Sequence, residues 1–297
     1  MFCAYVLCFY LTKHPAAAFF GGLFYGFSTY EMSECLAHLN LDFTAALPCL
    51  LLVVLARLDD RLSLRQAAGL AALLLAAQFY ISLEVLATAV LFGGIGWGVA
   101  LILLPARRTQ LWRLVADGFL AAGLTVVLVL PFLWDIFTTP RGTTIPINWS
   151  YMFAARVGNM LVTTPRIMFN APGAQFGSTS WLGHIPQYDF TTGLPLVILT
   201  GWYLAAAWKW PATRLLTYML FVLMAASLGP QLWISGYFSG VIMPWHAFLR
   251  MPLLNSALPV RFMLYTSLLI ALIAALWIVQ AHSSKGLLLR GGVATIA

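Results

Sequence analysis

Apolar runs long enough to cross a bilayer, separated by short charged connectors, recur along almost the whole chain and limit what it can become. A spanning helix needs about 20 mostly apolar residues. Runs near that length cover Met1–Thr12 (a short one), Pro15–Tyr30, Phe43–Ala56, Ala67–Leu83, Leu86–Leu104, Leu114–Phe137, Thr192–Trp208, Leu215–Ile234 and Phe262–Gln280. The expected fold is an all-α polytopic transmembrane helical bundle of about nine spans, one domain over residues 1–297. Composition agrees: 62% of residues are hydrophobic and 8% charged. A soluble domain carries roughly a quarter charged residues, so a chain this apolar could not cover its surface with polar groups.

The connectors carry a direction. Lys13; Arg57, Arg61 and Arg65; Arg107, Arg108 and Arg113; Lys209 and Arg214; and Lys285 and Arg290 occupy one alternating set of loops. Arg141, Arg156, Arg166, Arg250 and Arg261 occupy the other. Lys and Arg mark cytoplasmic loops, so the first set is expected inside. The net charge of +7 then reports topology, and nucleic acid is not an expected partner. The bilayer is, with the cell inner membrane as the expected location.

This orientation puts the elaborate segments outside: Glu31–Asp42, the long loop 138–191 and a second loop 235–261. Tyr151–Thr164 spaces Phe153, Val157, Met160 and Leu161 as an amphipathic helix, expected to lie in the interface plane. Pro244–Leu254 reads as a second such helix, with Pro244 in its first turn. Cys3, Cys8, Cys35 and Cys49 form no metal pattern. No phosphate-binding loop, dinucleotide fingerprint or zinc-protease motif is present.

The densest polar cluster is Tyr30–Asp42, which contains Glu31, Glu34, His38, Asn40 and Asp42. Continued as one helix, it sets Glu31, Glu34 and His38 on a shared face. A carboxylate at membrane depth suits a general base or a metal ligand; the alternative is a solvated loop. Glu84, at the turn between the fourth and fifth runs, is placed to reach the same cavity or simply to polarise the turn. Arg250 and Arg261 suit bidentate capture of a phosphate, or snorkelling to headgroups. His246 is a further phosphate contact or a local hydrogen-bonding group. Asp117 and Asp135 sit near the two ends of the sixth run. Trp149, Tyr151, Phe153, Phe169, Phe176, Trp181, Tyr188 and Phe190 make the long loop aromatic, as a sugar platform or an interfacial belt. His184 and Asp189 are polar candidates within it.

Two stretches, Ala16–Leu52 and Ser227–Phe262, contain GFSTY, HLN and a following proline, and then SLGP, PW, PLL and ALPVRF. Together they resemble bacterial multi-spanning proteins of the GT-C glycosyltransferase type, over most of the chain. The resemblance implies a polytopic helical enzyme that moves a sugar from a polyprenyl-phosphate donor to an acceptor on the outer face. In such a family an acidic residue of the first outer loop serves as base. A first helix and a first acidic loop precede the region matched here, so the expectation is that this chain starts after them, and that KGLLLRGGVATIA is the stub of a further segment. On that reading the family's base lies in the preceding loop; Glu31 and Glu34 are the catalytic candidates within this chain as acids of the site, with no motif that gives them the base role. His38, Glu84, His246, Arg250 and Arg261 are the substrate-binding ones. No organic cofactor is expected; the acids leave room for a divalent cation. A transporter or flippase of a lipid-linked glycan, or an inactive fragment, would use the same cations without a base.

Overall fold

The computed structural model describes residues 1–35, 38–139, 149–151, 153–155, 192–234, 237–251 and 253–282. The chain runs through α1 (Phe2–Thr12), α2 (Pro15–Gly26), α3 (Thr29–Glu34), α4 (Leu39–Asp42), α5 (Ala46–Leu58), α6 (Leu64–Ile81), α7 (Leu83–Leu103) and α8 (Arg108–Thr138). Then follow α9 (Leu194–Ala206), α10 (Pro211–Ser227), strands β1 (Gln231–Ile234) and β2 (Tyr237–Ile242), and α11 (Met263–His282). Three-residue to five-residue 3-10 turns join β2 to α11. The protein is helical and membrane-spanning. Among the described residues five helices are long and apolar enough to cross a bilayer, and α1, α9 and α10 are shorter apolar helices.

Local chemistry sets the boundaries. Ser63 and Gln66 form a reciprocal capping box that starts α6. Ser82 alone separates α6 from α7; its hydroxyl accepts the Val85 N–H, so the chain reverses in a single extended residue. Pro15 occupies the first turn of α2 and His14 Nδ1 accepts the Ala17 N–H. The second run ends as a helix at Gly26 rather than Tyr30. Ser28 caps a separate short helix, α3. The eighth run also stops early, at Ser227, because Gly229 turns the chain at φ 79°. Residues up to Ile234 then form β1, antiparallel to β2, with Trp233 opposite Phe238 and an irregularity between Gln231 and Trp233.

The central element is α11, whose apolar span is 67% buried, against 11% for α8. A helix buried on every face must be apolar all round, as MLYTSLLIALIAALWIVQ is. The main core joins Leu7, Leu11, Tyr25 and Leu47 of α1, α2 and α5 to Leu264, Leu268 and Ala271 of α11. Close contact of these helices depends on Gly21. A Cβ there would come within 2.6 Å of Cys8 Sγ and 3.2 Å of the Ala271 carbonyl oxygen, which is the small-residue interface expected between membrane helices. Phe119, Val127, Trp134 and Phe137 of α8 remain exposed, as a lipid-facing surface requires.

Most of the long loop, including the expected interfacial helix 151–164 together with His184 and Asp189, lies outside the described residues. Its described residues, 149–151 and 153–155, are fixed against Ser227 and the segment 255–260. Ser150 Oγ donates to the Ala257 carbonyl at 2.8 Å, the Ala155 N–H to Ser227 O at 2.7 Å, and the Val260 N–H to Phe153 O at 3.0 Å. The expected helix over Pro244–Leu254 is instead a 3-10 turn over Pro244–Phe248 followed by a second at Leu254–Ser256. Pro244 does lie in a first turn, but the sequence places Pro252 where a continuous α-helix over Pro244–Leu254 would need a backbone N–H. Trp245 is fully buried there, its ring 4.4 Å from that of Phe262.

Candidate functional site

Chain direction sorts the charged groups to two ends of the bundle. At the basic end, Lys13 and Arg61 lie over the Tyr10 ring, at 4.2 and 5.3 Å. The Tyr10 hydroxyl donates to Asp59 at 2.6 Å, and Arg107 donates to the same carboxylate at 3.1 Å. Loops separated by nearly a hundred residues thus meet at one end, as the charge alternation requires. Asp117 belongs to this half. Its Oδ2 accepts from Arg57 Nε at 2.7 Å.

The opposite end holds the candidate site. Three distant segments contribute: α3 with His38 just after it, the α6–α7 reversal, and the turn Pro259–Phe262 before α11. Glu84 sits in the first turn of α7, where the helix N-terminus favours an acid. One carboxylate oxygen accepts from Arg261 Nη1, and the other accepts the Leu258 N–H at 2.9 Å. Glu84 therefore locks the 258–261 turn onto the α6–α7 tip. Arg261 Nε points toward Glu34, 4.0 Å from Oε1, and makes no hydrogen bond to a described residue. The other Glu34 oxygen is 3.0 Å from His38 Nδ1. The result is a connected row of polar groups, His38–Glu34–Arg261–Glu84, mostly withdrawn from solvent. Burial pushes the Glu34 carboxyl above its usual range, while Arg261 and His38 pull it back.

The three residues expected on one helical face divide between two environments. Glu34 and His38 do meet. Glu31 turns away into the space between α2, α3 and the start of α5, where it accepts a hydrogen bond from the Thr44 hydroxyl. It is 8% exposed. Burial is the main cause that raises its carboxyl to about 8, with Thr44 opposing and Asp42 reinforcing. Glu31 thus keeps its proton at neutral pH and acts as a donor. A raised native pKa gives stability that is complete below the ordinary carboxyl range and lost as pH rises through about 8. Thermal unfolding in detergent should show wild type losing stability between pH 5 and pH 9, and Glu31→Gln, which mimics the neutral acid, losing much less. Equal pH dependence of the two proteins would refute the assignment.

Arg250 and His246 do not join the cluster. Both are exposed in the turn region after β2, and the Tyr151 hydroxyl lies 3.4 Å from His246 Nδ1. Asp135 accepts from the Thr139 hydroxyl at 2.8 Å and closes the end of α8. No group of three or more His, Cys, Asp or Glu side chains among the described residues is arranged to hold a metal ion. Sequence reasoning left open whether Glu84 is a turn residue or a cavity residue; here it anchors the turn that carries Arg261. It missed Thr44 and Tyr25 as partners of the Glu31 environment, because neither stands out in an apolar run.

No family model, curated protein or solved structure matches this chain. The function must therefore be argued from the site.

Proposed function

We propose that this protein is a membrane glycosyltransferase of the GT-C type, moving a sugar from a polyprenyl-phosphate donor to a hydroxyl acceptor on the non-cytoplasmic face of the inner membrane. The observation that carries the reading is the His38–Glu34–Arg261–Glu84 chain at the end opposite the basic loops. Sugar transfer from a lipid phosphate needs two things at one place: a base for the acceptor proton and a cation for the departing phosphate. Glu34 supplies the first. Its carboxylate takes the acceptor proton as the acceptor oxygen bonds to the anomeric carbon, and His38 Nδ1 holds its orientation. Arg261 supplies the second. Its unbonded Nε–H can stabilise the phosphate oxygen that leaves with the electron pair of the broken C–O bond. Glu84 keeps the guanidinium in place.

The test is transfer in proteoliposomes containing the full chain, a polyprenyl-phosphate sugar and an acceptor. Glu34→Gln should lower the rate by about 100-fold or more. Arg261→Lys retains the charge but loses the planar fork, and should lower it as well. Unchanged transfer in both variants removes the site assignment. Translocation of the lipid-linked sugar across the bilayer with no transfer would instead identify a flippase.

A further inference from the structure

Cys3 and Cys49 stand at the starts of α1 and α5, two helices that run the same way, from the end of the candidate site to the basic end. The helices meet along their length. Leu7 and Leu11 of α1 share a core with Leu47 of α5, and at the basic end the Tyr10 hydroxyl donates to Asp59 at 2.6 Å. At the other end the contact is sulfur against sulfur: the Cys3 and Cys49 thiols are side-chain hydrogen-bond partners. Burial does not account for them. Cys8 is fully buried beside Gly21, as a small core residue would be, whereas Cys3 and Cys49 are each partly exposed. Cys3 also lines a cavity of about 380 Å³ between α1, α2, α3 and the start of α5, together with Glu31, Cys35 and Asp42. A solute at that end therefore reaches the Cys3 sulfur, and Cys49 lies behind it, outside the lining.

We propose that Cys3 and Cys49 are a modification site, a thiol pair closed to a disulfide on the outer face of the membrane by exchange with a disulfide-bearing oxidant. Compartments outside the inner membrane keep such oxidants, and the cytoplasm does not. The inference rests on the proposed function only for the placement of this end outside, and on none of its transfer chemistry. Cys3, the reachable thiol, loses its proton and attacks one sulfur of the oxidant, forming a mixed disulfide and releasing one oxidant thiolate. The Cys49 sulfur, after losing its own proton, attacks the Cys3 sulfur. The bond to the oxidant breaks with its electron pair on the second oxidant sulfur. Two protein thiols are thereby oxidised, one oxidant disulfide is reduced to two thiols, and the two protons pass to those thiols. The closed ring runs from residue 3 to residue 49 and contains α2, α3 and α4 whole, with Glu31 and Glu34. It ties the start of α1 to the start of α5 and restricts the unfolded chain, the more so because the ring is long.

The experiment maps the thiols of the full chain taken from bacterial membranes, with N-ethylmaleimide present at lysis, by digestion and mass spectrometry. A peptide linking Cys3 to Cys49 should appear, vanish after dithiothreitol, and be accompanied by Cys35 carrying maleimide. In a second arm the purified chain is reduced in detergent and then treated with oxidised glutathione. The same bridge should form and raise the melting temperature by about 5 °C or more. Cys3→Ser and Cys49→Ser should each abolish that rise, and Cys35→Ser should keep it. Maleimide on both Cys3 and Cys49 in both arms overturns the proposal, as does a link between Cys3 and Cys35. A rise that persists in Cys49→Ser does so too. Closure by glutathione in a chain that leaves the membrane reduced overturns the closure on the outer face, and with it the orientation. A bridged chain that transfers no sugar would sink the transferase reading and leave the bridge standing.

Discussion

Removing the Arg261 side chain as Arg261→Ala should destabilise the protein by about 3–5 kcal/mol, the cost of leaving a buried charge unpaired. Its guanidinium stands between two carboxylates, Glu84 and Glu34, and all three side chains are 21% exposed or less. Without it the two acids face each other, and one must take up a proton. The defect should therefore depend on pH. Glu34, which burial already pushes up, would lose the opposing pull of Arg261, so stability is retained at low pH and lost as pH rises. Thermal unfolding of Arg261→Ala should accordingly show a larger deficit at pH 8 than at pH 5. Adding Glu84→Gln should recover part of the loss, because only one buried acid then remains. The Leu258 N–H keeps an acceptor in the glutamine carbonyl. A single variant as stable as wild type, or a double variant worse than the single at pH 8, would show that the cluster is not the electrostatic unit described. This also explains why the transfer assay uses Arg261→Lys, which preserves the charge that the fold requires.

The helices were legible in the sequence because a bilayer imposes one rule on every span. Apolar runs near the required length appear where α1, α5, α6, α7, α8 and α11 form. Boundaries were less legible where side chains cap the backbone. Ser28 splits α3 from α2, and Gly229 releases β1 from α10, through hydrogen bonds and dihedral angles that a hydropathy run does not register. The site was legible in kind but not in pairing. Glu84 and Arg261 are 177 positions apart, and nothing local to either names the other. Glu31 and Glu34, by contrast, are three positions apart and looked equivalent. Their roles separate only because α3 is short and wedged between α4 and α11, so one acid meets Thr44 and the other meets His38. A signal was available for Asp117. A carboxylate just inside an apolar run needs a partner, and the matching basic residue was in the last turn of α5.

The Arg57–Asp117 pair gives the second large effect, and its sign depends on what replaces it. Arg57 Nε donates to Asp117 Oδ2 at 2.7 Å, with the two side chains 15% and 7% exposed. The Asp117 side chain is only 7% exposed, so water cannot readily replace a lost partner. Asp117→Ala or Arg57→Leu alone should each cost about 3–5 kcal/mol in detergent unfolding. The pair is not fully satisfied, however. Among the described residues Asp117 Oδ1 has no hydrogen-bond partner, and the other Arg57 contacts are the Leu62 carbonyl at 3.2 Å and Asp60 at 4.0 Å. A pair with an orphaned oxygen recovers little of its desolvation cost. Replacing both residues together, as Arg57→Leu with Asp117→Leu, should then return stability to near wild type. Additive losses in the double variant would show instead that the pair stabilises beyond its desolvation cost. Because these residues lie at the end of the bundle opposite Glu34 and Arg261, the rate of sugar transfer by the double variant should stay at the wild-type level. A drop in transfer without a drop in stability would mean that the inner pair is coupled to the site across the length of the helices.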